Sequence, residues 1–313
     1  MDSLSHAVFG IAIASMSGQP FSINDPIYLA SLLGSQAPDF DIIALLRGNF
    51  AFIRQHRAFS HSIPGIIACS TLIAGSLNFF IPSASFYTLF CWALAGAFSH
   101  ILIDYFNTHG TAILWPVRKE RKSLHLLNVF DPILLGVLLS LYLLNMSPLT
   151  LGVVTFATLT VYIAIRCYLR YKAKHQLLIH FKDYQIVRLA IMPSLKKVFA
   201  WDFILETSDF HYIGQIKSYK GEIEFWLNLP RQNKSSEITE KAKQTLIGKF
   251  FCTFTPFAYY EEEYDISSLR INIYDLRYYL NHQFIHRATI IFNEDRPADV
   301  YLYSEGKMIK IPC

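Results

Sequence analysis

Charge is scarce in this chain. Asp, Glu, Lys and Arg make up 17% of its 313 residues, while 52% are hydrophobic and the mean hydropathy is +0.29. Soluble domains carry roughly 25% charged residues, so the shortfall points to a membrane protein or an unusually buried one. Lys and Arg are absent altogether from 1–46, 63–106 and 123–165. The first of these windows excludes a standard secretory signal, which needs a positive start. Cysteine is sparse and scattered: Cys69, Cys91, Cys167, Cys252 and Cys313 form no CxxC pair, and three of them lie in apolar runs. A thiol in such a run behaves as a small hydrophobe, which argues against a disulfide framework or a thiolate zinc site. Internal repeats and low-complexity tracts are missing too, and the net charge of +4 is too small to mark a nucleic-acid binder.

What is present is a series of long apolar runs. Residues 63–81, 86–106, 132–146 and 149–169 read as four membrane spans, the third with help from its flanks. The first 46 residues hold two shorter runs, 4–18 and 27–46, the second interrupted by Pro38, Asp39 and Asp41. They read as two short helices, with re-entrant segments as the alternative. Basic residues gather between alternate runs: Arg47, Arg54 and Arg57, then Arg118, Lys119, Arg121 and Lys122, then Arg166, Arg170, Lys172 and Lys174. By the positive-inside rule this predicts six segments with both termini in the cytoplasm. After Lys174 the composition turns to β-branched and aromatic residues, with strands predicted near 183–192, 198–207, 209–218, 222–230, 288–293 and 299–304 and a helix over 235–250. The expected architecture is a membrane-embedded all-α bundle, 1–174, followed by a cytoplasmic α+β domain, 175–313.

On that topology the polar residues of the apolar half fall at one depth. His6 opens the first segment, Asp39 and Asp41 close the second, and His56 and His61 precede the third. His100 and Asp104 end the fourth, His109 follows it, and Asp131 precedes the fifth. In "HILID", His100 and Asp104 stand four apart on one helix face. Imidazole and carboxylate together suit a divalent metal, zinc above all and manganese as an alternative. Of Asp39 and Asp41, one would ligate while the other orients a neighbouring histidine. Arg57 adds a fixed cation suited to a phosphate or another anion.

Plainer roles compete at several of these positions. Asp131 before Pro132, Asp2, and Ser60 or Ser62 all suit helix N-caps. His109 precedes Gly110, where a helix end competes with ligation, and His56 competes with His61 for one role. His125 reads as a surface residue, and His175, His180, His211, His282 and His286 show no ligand spacing. The run "RKERK" at 118–122 is a topology signal and a contact for lipid headgroups.

Five stretches in order, "MDSLSHAVFG", "GSQAPDFD", "HRAFSHS", "HILIDYFNTHG" and "VFDP", resemble the YdjM/YbcI-type membrane-bound metal-dependent hydrolases over roughly the first 170 residues. The stretch "PSLKKVFAWDFILETSDFHYIGQI" resembles the tail of the YfhP-like branch. The resemblance implies a bacterial cytoplasmic-membrane hydrolase. More distantly, the order of His and Asp is similar to zinc-dependent phospholipase C and P1-type nucleases. That likeness implies His6, Asp39, His61, His100, Asp104 and His109 as ligands of one or two ions, because the later His/Glu pair of that group has no counterpart. The reading is a hydrolase of phosphoesters, lipid-linked ones included, working among membrane lipids. Asp39 or Asp41 would serve as ligand and general base, with Arg57 facing the substrate's charge. The alternative is a non-catalytic metal-binding protein, or a scaffold, whose second domain binds a partner. Transport is disfavoured, since the centres of 63–81, 132–146 and 149–165 carry only Ser, Thr, Asn and Tyr as polar groups.

Overall fold

The computed structural model describes residues 1–48, 50–52, 57–232, 236–264, 269–293, 296–304 and 306–311. It divides into two compact units, Met1–Tyr171 and Lys172–Cys313.

The first unit is helical, and its helices begin where short polar side chains satisfy free backbone N–H groups. Asp2 accepts from the Ser5 N–H at 3.0 Å to start α1 (Ser3–Ser15), and Asp25 accepts from Ile27 at 2.8 Å to start α2 (Pro26–Gln36). Pro38 offers no N–H to the α-helical ladder, and the chain tightens there into a 3₁₀ segment, Ala37–Arg47. Ser62 caps α3 (Ile63–Phe80), and α4 runs from Phe86 to Phe106. Asp131 caps α5 (Pro132–Leu141), which is followed by α6 (Pro148–His180).

Among the described residues, four helical stretches are long and apolar enough to cross a membrane: Pro26–Leu46, Ile63–Phe80, Phe86–Phe106 and Pro148–His180. Their outward side chains are bare; Phe79 and Phe80 on α3 are each 78% exposed. At 1.5 Å per residue, the 13 residues of α1 rise about 20 Å and the 10 of α5 about 15 Å, short of a hydrocarbon core of about 30 Å. The span expected over 132–146 is therefore corrected to a helix ending at Leu141. There Tyr142 turns inward, and its hydroxyl donates to the Val8 carbonyl at 2.9 Å.

Small residues let α2 lie directly on α4. A Cβ added to Gly34 would stand 2.1 Å from the Ala93 carbonyl oxygen, and one on Gly96 would stand 2.2 Å from that of Ser31. Close approach of this kind is how apolar helices associate where no water drives them together. Gly96→Val should push the helices apart and lower the thermal midpoint in detergent, at a cost of about 3 kcal/mol. Gly75 has nothing within 4 Å of an added Cβ. Gly75→Val is the matched control, and equal losses in both variants would refute the close-packing account.

The second unit is β-rich and antiparallel. Strands β1 (Ile186–Pro193), β2 (Ala200–Thr207), β3 (Phe210–Lys217) and β4 (Ile223–Pro230) form one sheet in sequence order. A second sheet has the order β11-β10-β9-β6-β5, made of β5 (Ala258–Tyr264), β6 (Leu269–Asp275), β9 (Arg287–Asn293), β10 (Arg296–Ser304) and β11 (Lys307–Ile311). β7 (Tyr279–Leu280) and β8 (Gln283–Phe284) form a separate hairpin. A core of Met192, Ile204, Ile213, Tyr259, Leu276 and Phe284 joins these layers. The helix expected over 235–250 is two helices, α7 (Glu237–Gln244) and α8 (Leu246–Phe254). Thr245 breaks them by adopting extended backbone and accepting from the Gly248 N–H.

Candidate metal centre

Five side chains from four places along the chain converge at one end of the helical unit. His6 lies in the first turn of α1, Asp39 in the 3₁₀ segment, His61 just before α3, and His100 and Asp104 near the end of α4. His6, His61, His100 and Asp104 are buried, while the Asp39 side chain is 27% exposed. The His6 and His100 rings stack with centroids 3.6 Å apart, and His6 Nε2 lies 3.4 Å from Asp104 Oδ1. His61 Nε2 is 3.6 Å from Asp39 Oδ1 and 3.5 Å from Asp104 Oδ2; His100 Nε2 is 3.6 and 3.7 Å from the same two atoms. Two donor sets result, His6–Asp39–His100 and His61–His100–Asp104, each with its ligand atoms within 4.8 Å of one another.

The surrounding hydrogen bonds fix the tautomers. His100 Nδ1 lies 2.7 Å from the Ser35 carbonyl, which can only accept, so the ring proton sits on Nδ1. Ser60 Oγ donates to Asp41 Oδ2 at 2.8 Å and lies 3.0 Å from His61 Nδ1. Its one hydrogen is directed at Asp41, so it accepts from His61, and that ring proton also sits on Nδ1. When both rings are neutral, as metal ligation requires, their Nε2 atoms present lone pairs to each other at 3.3 Å. Lone pairs at that distance, with carboxylate oxygens beside them, repel unless a cation lies between. Both His6 ring nitrogens likewise have no hydrogen-bond partner although buried. Bonds of about 2.1 Å to a tetrahedral zinc set its ligand atoms about 3.4 Å apart. The separations from His61 and His100 to one another and to the two carboxylates, 3.3 to 3.7 Å, match that spacing.

The remaining sequence candidates take other places. Asp41 stands behind His61 and also accepts from the Arg57 N–H at 3.0 Å. Arg57, expected to face substrate, turns inward: its Nη2 lies 3.1 Å from Asp104 Oδ2, and its Nη1 donates to Asn107 Oδ1 at 3.0 Å. Its backbone takes the left-handed value φ 60°, a strained conformation for a side chain of this size. His109 belongs to neither donor set, and its main-chain N–H donates to Asn107 Oδ1 at 2.9 Å. His56 lies outside the described residues. Asn107, which the sequence does not single out, is the hub of the hydrogen bonds around Asp104. Fully buried, it donates to Asp104 Oδ1 at 2.7 Å while its oxygen gathers Arg57, His109 and Gly110. Its position three residues beyond Asp104 was the available signal. The Met1 amino group also donates to Asp104 Oδ1.

Comparison with known proteins gives a consistent placement. The YfhP protein of Bacillus subtilis (strain 168), named as uncharacterized, is 29% identical over 288 residues, covering 89% of this chain and 87% of YfhP. No solved structure matches. The model of the YdjM inner membrane protein family matches residues 1–173, which takes in every member of the two donor sets. With more than half its length matched and helices of membrane-crossing length, the chain belongs to the YdjM inner membrane protein family.

Proposed function

We propose that this protein is a membrane-bound, metal-dependent hydrolase of phosphoesters. The observation that carries the reading is the pair of Nε2 atoms of His61 and His100, 3.3 Å apart with carboxylates on either side. His6, Asp39, His61, His100 and Asp104 would hold one or two divalent ions, zinc or manganese. Such an ion acts as a Lewis acid and makes a bound water acidic enough to attack a phosphoester at neutral pH.

The chain's own residues divide the remaining work. Asp39 is the donor open to solvent, so water and substrate reach the site on its side, and its carboxylate is placed to take a proton. Ser60 with Asp41 holds the His61 ring, and the Ser35 carbonyl holds His100. Arg57 and Asn107 hold Asp104. Arg57 also offsets one of the two carboxylates, leaving a loaded site with net positive charge for an anionic phosphoester. All five donors lie at the same end of the helical unit, and a site near the ends of membrane-crossing helices would be within reach of lipid headgroups, which brings lipid-linked phosphoesters into the proposed substrate class. By the positive-inside rule, the basic residues between alternate apolar runs support termini in the cytoplasm.

The test is elemental analysis of detergent-purified protein, followed by release assays on a phosphomonoester, a phosphodiester and a phospholipid. Bound zinc or manganese with turnover that a chelator abolishes supports the hydrolase. A protein that holds neither metal after purification without chelator refutes the centre itself, and bound metal without turnover favours the non-catalytic alternative. Asp41→Asn should weaken metal binding about 10- to 100-fold without abolishing it, because it loosens His61 and removes no donor. Competition against a chromophoric chelator measures this, and unchanged affinity would remove Asp41 from the scheme.

A further inference from the structure

A second polar site lies wholly within the β-rich unit. Strand register places Asp202 opposite Gln215, and Gln215 opposite Glu224. Directly opposed residues share a face, so the three form a polar row across β2, β3 and β4. Two positions along the same face stand Ile204 and Ile213, both in the core. Glu224 is the exposed end of the row, and its two buried members, beside an apolar core, need a reason. Asp202 and Gln215 are buried and firmly held. Gln215 Nε2 donates to Asp202 Oδ1 and to Ser194 Oγ, each at 2.8 Å, and Lys197 Nζ donates to Gln215 Oε1 at 3.0 Å.

The row opens into a cavity of about 320 Å³ whose other walls include Trp226, Lys196 and the β7–β8 hairpin. The hairpin turns on Asn281 and His282, at φ 52° and 62°. Turns of this kind favour Asn followed by Gly, so His282 occupies a position where glycine would be unstrained. Strained residues of this sort gather at ligand sites, and His282 is among the residues that line the cavity.

We propose that this cavity binds a neutral polyhydroxylated ligand the size of one sugar ring. A bare anion would meet Asp202 and Glu224, and a bare cation would meet Lys196 and Lys197. Hydroxyl groups use both sets, since each donates and accepts. The Trp226 and Tyr279 rings, with centroids 6.1 Å apart, offer flat apolar surface to the C–H face of a sugar. At about 320 Å³ the cavity is at the small end for ligand sites, which fits a single ring. The sugar could be free or the head of a glycolipid; the recognition chemistry is the same.

The experiment uses the full chain in an amine-oxide detergent, because sugar-headed detergents would compete. Saturation-transfer NMR is run with glucose, galactose, mannose and N-acetylglucosamine, and separately with dodecyl glucoside for a lipid-borne sugar. Transfer to ring protons in either arm supports the site, and the stronger arm identifies the source. Asp202→Asn should weaken binding about ten-fold through loss of a charge-assisted hydrogen bond. His282→Gly should weaken it similarly while leaving the thermal midpoint unchanged or higher, the opposite of what a purely structural histidine would do. No transfer to any sugar, transfer undiminished in both variants, or displacement by inorganic phosphate or serine instead of sugars would overturn the proposal.

Discussion

Asp104→Ala is expected to strip the protein of metal and to destabilise it by about 3–5 kcal/mol, the usual cost of leaving a buried charge without its partner. The two losses have separate causes. Asp104 belongs to the donor set with His61 and His100, and it is also the carboxylate that faces the buried Arg57 guanidinium. His100→Ala removes a donor of both sets without exposing a buried charge, so metal should be lost with a smaller fall in thermal midpoint. The double variant Asp104→Leu with Arg57→Leu should regain much of the stability while still binding no metal. Adding zinc at about 1,000 times its dissociation constant stabilises a binding-competent fold by about 4 kcal/mol, and none of the three variants should show that rise. Elemental analysis and thermal melts with and without zinc read both effects. If Asp104→Ala keeps its metal, the centre is wrongly built; if the double variant is as unstable as the single one, the Arg57 pairing is not what stabilises Asp104.

The elements of this centre were legible where local chemistry alone decides them. The i, i+4 spacing of His100 and Asp104 puts both on one face of α4 whatever surrounds the helix, and Asp2, Ser62 and Asp131 announce helix starts that the structure contains. Asp39 and Asp41 could not be assigned separate roles, because the 3₁₀ turn after Pro38 aims one at the donors and the other behind His61. Arg57 pointed outward on paper because its partner Asn107 lies fifty residues away, and the Ser35 carbonyl is main chain with no signature at all. In the second unit β5 was hidden by the run Glu261-Glu262-Glu263, which reads as a solvated loop. β6 does carry a sequence signal: Ile271 and Ile273 alternate with Asn272 and Tyr274, and in the structure Ile271, Ile273 and Asp275 are the buried set.

Asp202→Asn is expected to make the protein more stable at neutral pH. Burial pushes the Asp202 carboxyl up to about 6 from its ordinary 3.8, and the hydrogen bonds from Gln215 and Ser194 and the charge of Lys197 only partly oppose this. An acid with a raised folded pKa binds its proton more tightly folded than unfolded. Stability is then greatest below 3.8, falls as pH rises toward 6, and stays at the lower level above it. The difference amounts to about 3 kcal/mol at neutral pH. Asparagine keeps an oxygen for Gln215 and carries no charge, so the variant should lie above wild type at pH 7 and converge with it near pH 4. Melts from pH 4 to 7.5 on both proteins decide the matter, because titrations elsewhere in the chain cancel in the difference. Parallel curves would mean that Asp202 titrates normally and is simply a core hydrogen-bonding group. A gap that opens with pH means that the chain carries a destabilising charge at this position, the trade of stability for function expected of a binding residue. That outcome, joined to weaker sugar binding by the same variant, would separate a ligand site from a misplaced polar row.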